Sequence, residues 1–420
     1  MRAHRWMAPA ARRLGVAQGP LGLTALALCV GLVGCTTDGD GGADDNDGGL
    51  GGAGGEGGGG GEGGGGGGPL APGAAGTGTL AYLVVPEGSD RVEVVDLDTA
   101  QVQYRSRDGE QGNPQRLYLT PSGSHLVWAG GPVEEDTSLR FSCWHVDLST
   151  GVETDCRLGA EYSLAYTIGV TGDGARLVYG ALRAADSQRT VVVAEGGALT
   201  ELAAAPEGSG VLSTLGGGVS PDGAFVYLLH YDTQGAGSQR QALWRYPLDG
   251  GAPTSVLDLP ANISLALDAL RIDVSEDGER LLVSCLVSDA MPVSDRVSTC
   301  AIEAATGALT VYTGLNNGHL SLDGRFITGG RIELAGDDGV FPTGFDVFAW
   351  GEITPLRRVQ VEGNSPTLSP DGSRLAWRVV DSAPGLWHTP FTTPVAGGAF
   401  VQVSVSDDSA PANGRMYWSR

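Results

Sequence analysis

Val219-Ser220-Pro221-Asp222-Gly223-Ala224-Phe225-Val226-Tyr227-Leu228 reads as the end of one apolar strand, a tight turn, and a second apolar strand. Gly supplies the positive φ that such a turn needs, and Asp bonds its own turn backbone. The pattern returns at 119–128 (LTPSGSHLVW), 170–179 (VTGDGARLVY), 274–283 (VSEDGERLLV), 320–329 (LSLDGRFITG) and 368–377 (LSPDGSRLAW). Its glycines, Gly123, Gly174, Gly223, Gly278, Gly324 and Gly372, stand 51, 49, 55, 46 and 48 residues apart. A recurrence near fifty residues, filled with short strands, is the sequence form of a β-propeller.

About twenty residues after each turn comes a third strand. It recurs seven times, at 91–100, 141–150, 189–198, 242–251, 297–306, 345–354 and 385–394. A more variable fourth strand closes each unit. The 342 residues from 79 to 420 divide by about fifty into seven units. The fold class is therefore all-β, a seven-bladed propeller, with the closing blade assembled from both termini so that no long free edge remains. Six or eight blades stay open, because Leu80–Val85 and Arg415–Trp418 both read as second strands.

Ser220-Pro221-Asp222-Gly223 and Ser369-Pro370-Asp371-Gly372 match the S-P-D-G core of the TolB-type, or PD40 (WD40-like), propeller repeat; the other four copies keep part of it. The resemblance covers residues 79–420. It implies the propeller fold and leaves function open, since such propellers serve as scaffolds, peptidase lids and sugar enzymes alike.

Residues 1–34 read as a secretion signal: Arg2, Arg5, Arg12 and Arg13 precede an apolar run, Leu21 to Val33, too short to span a bilayer comfortably. The run ends Leu32-Val33-Gly34-Cys35, which resembles the bacterial lipobox. That resemblance implies an acylated Cys35 at the mature N-terminus, and Thr36 implies sorting to the outer membrane. Two or more acyl chains anchor stably. Residues 35–78 form the expected linker: positions 36–78 hold 23 Gly and seven acids, with almost nothing to bury. The Asp38–Asp47 run lacks the order of a calcium loop and reads as a solvated spacer.

All 26 bases are Arg against 49 acids, a net charge of −23 that becomes −27 once the signal is removed. Charge therefore excludes nucleic acid, or an anionic membrane face, as a partner. Of six Cys, Cys29 leaves with the signal and Cys35 takes lipid. Cys143 with Cys156, and Cys285 with Cys300, fall on neighbouring antiparallel strands, so two hairpin disulfides are expected in an oxidising compartment.

Catalytic motifs are scarce. There is no G-x-S-x-G, H-E-x-x-H or P-loop, and neither a metal nor a cofactor is implied. Asp173, Asp222, Asp277, Asp323 and Asp371 read as turn formers, and Trp144, Trp244 and Trp350 as third-strand packing residues. Residues in or leading into the inner strands make up the candidate ligand face: Asn113, Gln115, Tyr166, Thr167, Asp268, Asn316, Asn317, His319, Asn364 and Ser365. His319 stands out beside two Asn.

The expectation is a monomeric, non-enzymatic propeller, lipid-anchored at the outer membrane, that binds a protein or an envelope polymer. Its rival is a channel-centred enzyme of lactonase or polysaccharide lyase type, which needs a metal or a His/Arg/Tyr set at one mouth. A calcium-dependent carbohydrate binder is a third reading.

Overall fold

The computed structural model describes residues 72–86, 91–106, 114–132, 139–214, 216–231, 241–265, 271–291, 293–332, 342–360, 364–378, 390–403, 409–410 and 416–420. The signal, Cys35 and the linker to residue 71 lie outside them.

Seven antiparallel blades surround one axis. Blade 2 shows the plan, with Pro114–Leu119 innermost, then His125–Pro132, Leu139–Asp147 and Val152–Asp155 at the rim. The inner strands of blades 3 to 7 are Tyr162–Val170, Gly218–Val219, Ile272–Val274, Leu315–Leu320 and Asn364–Leu368. In blade 1 the inner strand comes from the other end of the chain: Tyr417–Ser419 pairs antiparallel with Thr79–Pro86, placing Trp418 opposite Leu80. This removes the six-or-eight ambiguity. Arg415–Trp418 resembles a second strand because it is rich in apolar residues, yet Trp418, just before Ser419, matches the apolar residue that stands just before the turn Ser or Thr in the other inner strands. Both termini build the closing blade.

One boundary moves. Residues 72–78, expected within the linker, pack on blades 1 and 7. Ala75 is buried, its carbonyl accepts from Thr392 Oγ1 at 2.7 Å, and the Thr77 carbonyl accepts from Trp418 Nε1 at 2.8 Å. The Gly-rich composition hides this, because the bonds run through backbone.

Each repeat turn is built alike. In blade 7, Ser369 Oγ accepts from the Arg374 amide at 2.9 Å and donates to Asp371 Oδ1 at 2.7 Å; Asp371 Oδ1 accepts from the Ser373 amide at 3.0 Å. Thr171, Ser275 and Ser321 repeat this with Asp173, Asp277 and Asp323. The turn glycines all lie near φ +70°, from 68° at Gly123 to 73° at Gly174 and Gly223. The residue five after the turn hydroxyl then covers the next blade's turn. A Cβ on Gly174 would lie 2.3 Å from His125, and one on Gly372 would lie 2.1 Å from Phe326. Backbone bonds also cross between turns, from Gly172 N to Pro221 O (2.8 Å) and from Glu276 N to Leu322 O (2.8 Å). One short motif thus makes both the hairpin and the joint between blades.

The core is a series of inter-blade clusters, for example Leu228, Val226 and Trp244 of blade 4 against Val178 and Val191 of blade 3. Trp144 stacks on Trp128 with ring centroids 6.2 Å apart, and Trp244 occupies the equivalent third-strand position. Trp350 also packs, on the cluster between blades 5 and 6, but from just beyond the third strand of blade 6, where its indole nitrogen donates to Glu303. Both expected disulfides have bonding geometry, with Cα separations of 5.0 Å for Cys143–Cys156 and 5.9 Å for Cys285–Cys300. The second joins diagonal residues, since Cys285 lies opposite Ser298 and Cys300 opposite Val283.

Candidate functional site

The seven inner strands can be aligned on their turn hydroxyls. The residue just before each is apolar (Leu119, Val170, Val219, Val274, Leu320, Leu368 and Trp418) and lies to one side, between blades. The residue two before it faces the axis, as strand alternation requires. Around the ring these are Tyr118, Gly169, Gly218, Asp273, His319, Thr367 and Tyr417, all lining an axial cavity of about 130 Å³. Two glycines occupy one side and polar or aromatic groups the other.

The glycines shape the wall. Ile272 N donates to Gly217 O at 3.0 Å, tying the inner strands of blades 4 and 5 together. A Cβ on Gly218 would lie 2.3 Å from the Ile272 carbonyl oxygen, so any larger residue would push these strands apart. Their approach places Arg271 against the axis. Its guanidinium carbon lies 3.9 Å from the centroid of Tyr417 and 6.0 Å from that of Tyr118, within cation–π range of both. Arg271 Nε also reaches Asp273 Oδ1 at 2.8 Å, and Asp273 Oδ2 stands 3.2 Å from His319 Nδ1 and accepts from Leu320 N at 3.3 Å. Thr367 Oγ1 is 3.5 Å from the same imidazole nitrogen, and Tyr417 meets the ring edge-on at 6.3 Å.

A local irregularity aims His319. The inner strand of blade 6 bulges between Asn316 and His319, with Asn317 at φ +51° and its amide on Asn316 Oδ1 at 2.8 Å. A bulge of this kind bends a strand and re-aims the following side chain. Gly318 is held against Thr299, where a Cβ would sit 2.4 Å from Cγ2.

Of the expected ligand-face residues whose side chains are described, only His319 joins the axial cluster. Thr167 is buried in blade 3; its carbonyl accepts from Tyr118 Oη at 2.9 Å, and its hydroxyl points to Cys143 Sγ at 3.6 Å. Tyr166 packs tilted against Phe141, ring centroids 4.5 Å apart, and under Arg116 at 5.4 Å. Asn316 and Asn317 form the bulge. Gln115, Asn364 and Ser365 fall on inner strands whose backbone alone is described there, and Asn113 and Asp268 lie outside the described residues. Residue type alone does not point to Arg271, Asp273, Tyr118, Tyr417 or Thr367. Lining up the turn hydroxyls and reading two residues back finds four of these, and Arg271 stands two residues further.

Among the described residues, no three His, Cys, Asp or Glu side chains are grouped to hold a metal, and no helix is long and apolar enough to cross a membrane. The axial set is one carboxylate, one imidazole, one guanidinium and two phenols.

No protein-family model matches the chain, and no curated protein matches it. Solved propellers do. TolB from Acinetobacter baumannii is 15% identical, with 65% of this chain covering 61% of that one at a TM-score of 0.42. A prolyl endopeptidase is 13% identical, with 78% of this chain covering 49% of that one at 0.50. Oligogalacturonate lyase from Vibrio parahaemolyticus is 12% identical, with coverage of 70% and 81% at 0.49. The chain thus spans about three fifths of the TolB chain and half of the endopeptidase. Identities this low speak to fold alone. The endopeptidase match and the seven blades show a β-propeller fold, and the repeat turns keep their resemblance to the TolB-type repeat.

Proposed function

We propose that this chain is a non-enzymatic binding propeller, tethered to the bacterial outer membrane through an acylated Cys35, whose ring docks a protein or an envelope polymer on the periplasmic or surface side. The leader, the Leu32–Cys35 lipobox and the acidic Gly-rich spacer support the tether. The observation that carries the binding role is the state of the axis. Its cavity of about 130 Å³ is well below the roughly 300–1,000 Å³ of ordinary ligand pockets. Asp273 is occupied by Arg271, His319 and the Leu320 amide, so the polar cluster braces the ring. A braced ring serves as a rigid platform.

The test has two arms. Cells fed an alkyne-tagged fatty acid should label the wild-type protein and not Cys35→Ser, with the label in the outer-membrane fraction. Crosslinking in cells should return the same partners for wild type and Asp273→Asn. Label retained by Cys35→Ser would refute the tether, and a partner set emptied by Asp273→Asn would refute the platform.

One observation favours the rival enzyme: His319, Arg271, Tyr118 and Tyr417 converge at one level of the axis, and Asp273 orients the imidazole as a general base requires. Turnover of a lactone or an acidic oligosaccharide that disappears in His319→Ala would establish that reading instead.

A further inference from the structure

The joint between blades 2 and 3 departs from the other joints. His145 lies on the third strand of blade 2, opposite Val127. The equivalent positions in blades 1 and 3 to 7 are Val94, Val193, Arg245, Ala301, Val347 and Thr392. Four of these are apolar and buried in the next joint. The two polar ones have partners: Thr392 Oγ1 donates to Ala75 O, and Arg245 Nε donates to Thr254 Oγ1 at 2.9 Å. His145 Nε2 is shut off from water and has no hydrogen-bond partner among the described residues. A polar atom left this way beside the His125 ring, 5.2 Å away between centroids, and at a position that is apolar in four other blades, demands an explanation.

The same joint opens into a cleft of about 730 Å³, lined by His145, Leu158, Leu177, Tyr179 and Leu199. This volume lies within the range of small-molecule sites. Gly174, Ala175, Ala194, Gly196 and Gly197 on the blade 3 side leave the space unfilled. The wall is braced: the Cys143–Cys156 disulfide ties the rim to the third strand, and Tyr179 Oη donates to Cys156 O at 2.7 Å. Leu199 is 42% exposed at the entrance. Charges at the edge are already matched, Asp155 with Arg157 at 2.6 Å and Glu195 with Arg176 at 3.2 Å, so the cleft offers no free charge to an ionic ligand.

We propose that the cleft between blades 2 and 3 binds a neutral amphipathic molecule, its apolar body on Leu158, Leu177 and Leu199 and its hydroxyl on His145. Binding in this way includes a turn of the imidazole about its Cβ–Cγ bond, so that Nε2, now shut off from water, meets the ligand hydroxyl and gains the hydrogen bond it lacks. The inference is independent of the membrane tether and of the axial cluster.

The test compares 2-naphthol with 2-methylnaphthalene, which share a body and differ in the hydroxyl, by fluorescence titration of the purified full chain. Wild type should bind 2-naphthol about fivefold more tightly, the share of one neutral hydrogen bond. His145→Val, which installs the residue found at three equivalent positions, should fold and lose the preference. Leu199→Glu should weaken both probes at least tenfold. Failure of wild type to bind either probe, equal binding of the two, or a preference that survives His145→Val would each overturn the proposal. Unfolding midpoints of the variants confirm that the ring is intact.

Discussion

Acid should destabilise this ring in part through His230. It sits on the second strand of blade 4, buried, with Nδ1 3.1 Å from the Ser209 carbonyl oxygen and Nε2 2.6 Å from Tyr246 Oη. Burial pushes its pKa down to about 4, and the Ser209 carbonyl offsets only part of that. In the unfolded chain the ring titrates near its ordinary value of about 6.5. The folded state therefore resists a proton that the unfolded state accepts. Stability from this group is complete above about pH 6.5 and drains away as pH falls through about 4. Every tenfold loss of proton affinity on folding is worth about 1.4 kcal/mol, so the full loss of stability is on the order of 3 kcal/mol. The assay is urea unfolding of wild type and His230→Gln between pH 7 and pH 4. Gln keeps a donor and an acceptor and does not titrate. Wild type should be the more stable at pH 7, and the gap should shrink by about 3 kcal/mol towards pH 4. Carboxylates common to both proteins cancel in the difference. Two unfolding curves that fall in parallel would refute the reasoning.

Three further outcomes follow from the turns and cross-links. Gly223→Ala should cost about 1–2 kcal/mol for a left-handed backbone whose Cβ meets only the Thr171 methyl, at 3.3 Å, whereas Gly372→Ala should cost more, because its Cβ would lie 2.1 Å from the Phe326 ring. Thermal unfolding of the pair checks that order. Ser369→Ala removes the acceptor of the Arg374 amide and the donor to Asp371, and should cost about 1–3 kcal/mol in the same assay. Replacing Cys143 and Cys156 together with Ser opens a link across 13 residues and should cost about 3 kcal/mol. Added reductant should lower the wild-type midpoint towards that variant and leave the variant's own response to the second disulfide alone.

The fold was legible because the repeat unit carries its own geometry. A Ser or Thr hydroxyl, an Asp two residues on and a Gly one further leave few backbone choices, and apolar alternation on either side sets which face is buried. The blade count was less legible, because strand order along the chain and strand order in a blade differ at the closure. Tyr417–Ser419 is the last strand of the chain and the first of its sheet. Residues 72–78 look like linker for a related reason: Gly and Ala offer no side-chain pattern, and their carbonyls make the contacts.

The axial cluster was hidden by a different mechanism. Residue-type reasoning ranks a His beside two Asn above a lone Arg or Tyr, and that selects His319 while passing over Arg271. Yet Arg271 reaches the axis only because Gly217 and Gly218, in another blade, let two backbones meet. That is a long-range consequence of two missing side chains, and no window around residue 271 contains it. The same holds for His145, unremarkable within its own strand and anomalous only beside the valines at the same place in other blades. In a repeat protein the shared positions specify the scaffold, so the positions where one copy departs from the others are where specific chemistry can enter without loss of the ring. Arg271, Asp273, His319 and His145 are such departures. The substitutions that restore the common residue, His145→Val first among them, therefore separate binding from folding more cleanly than alanine would.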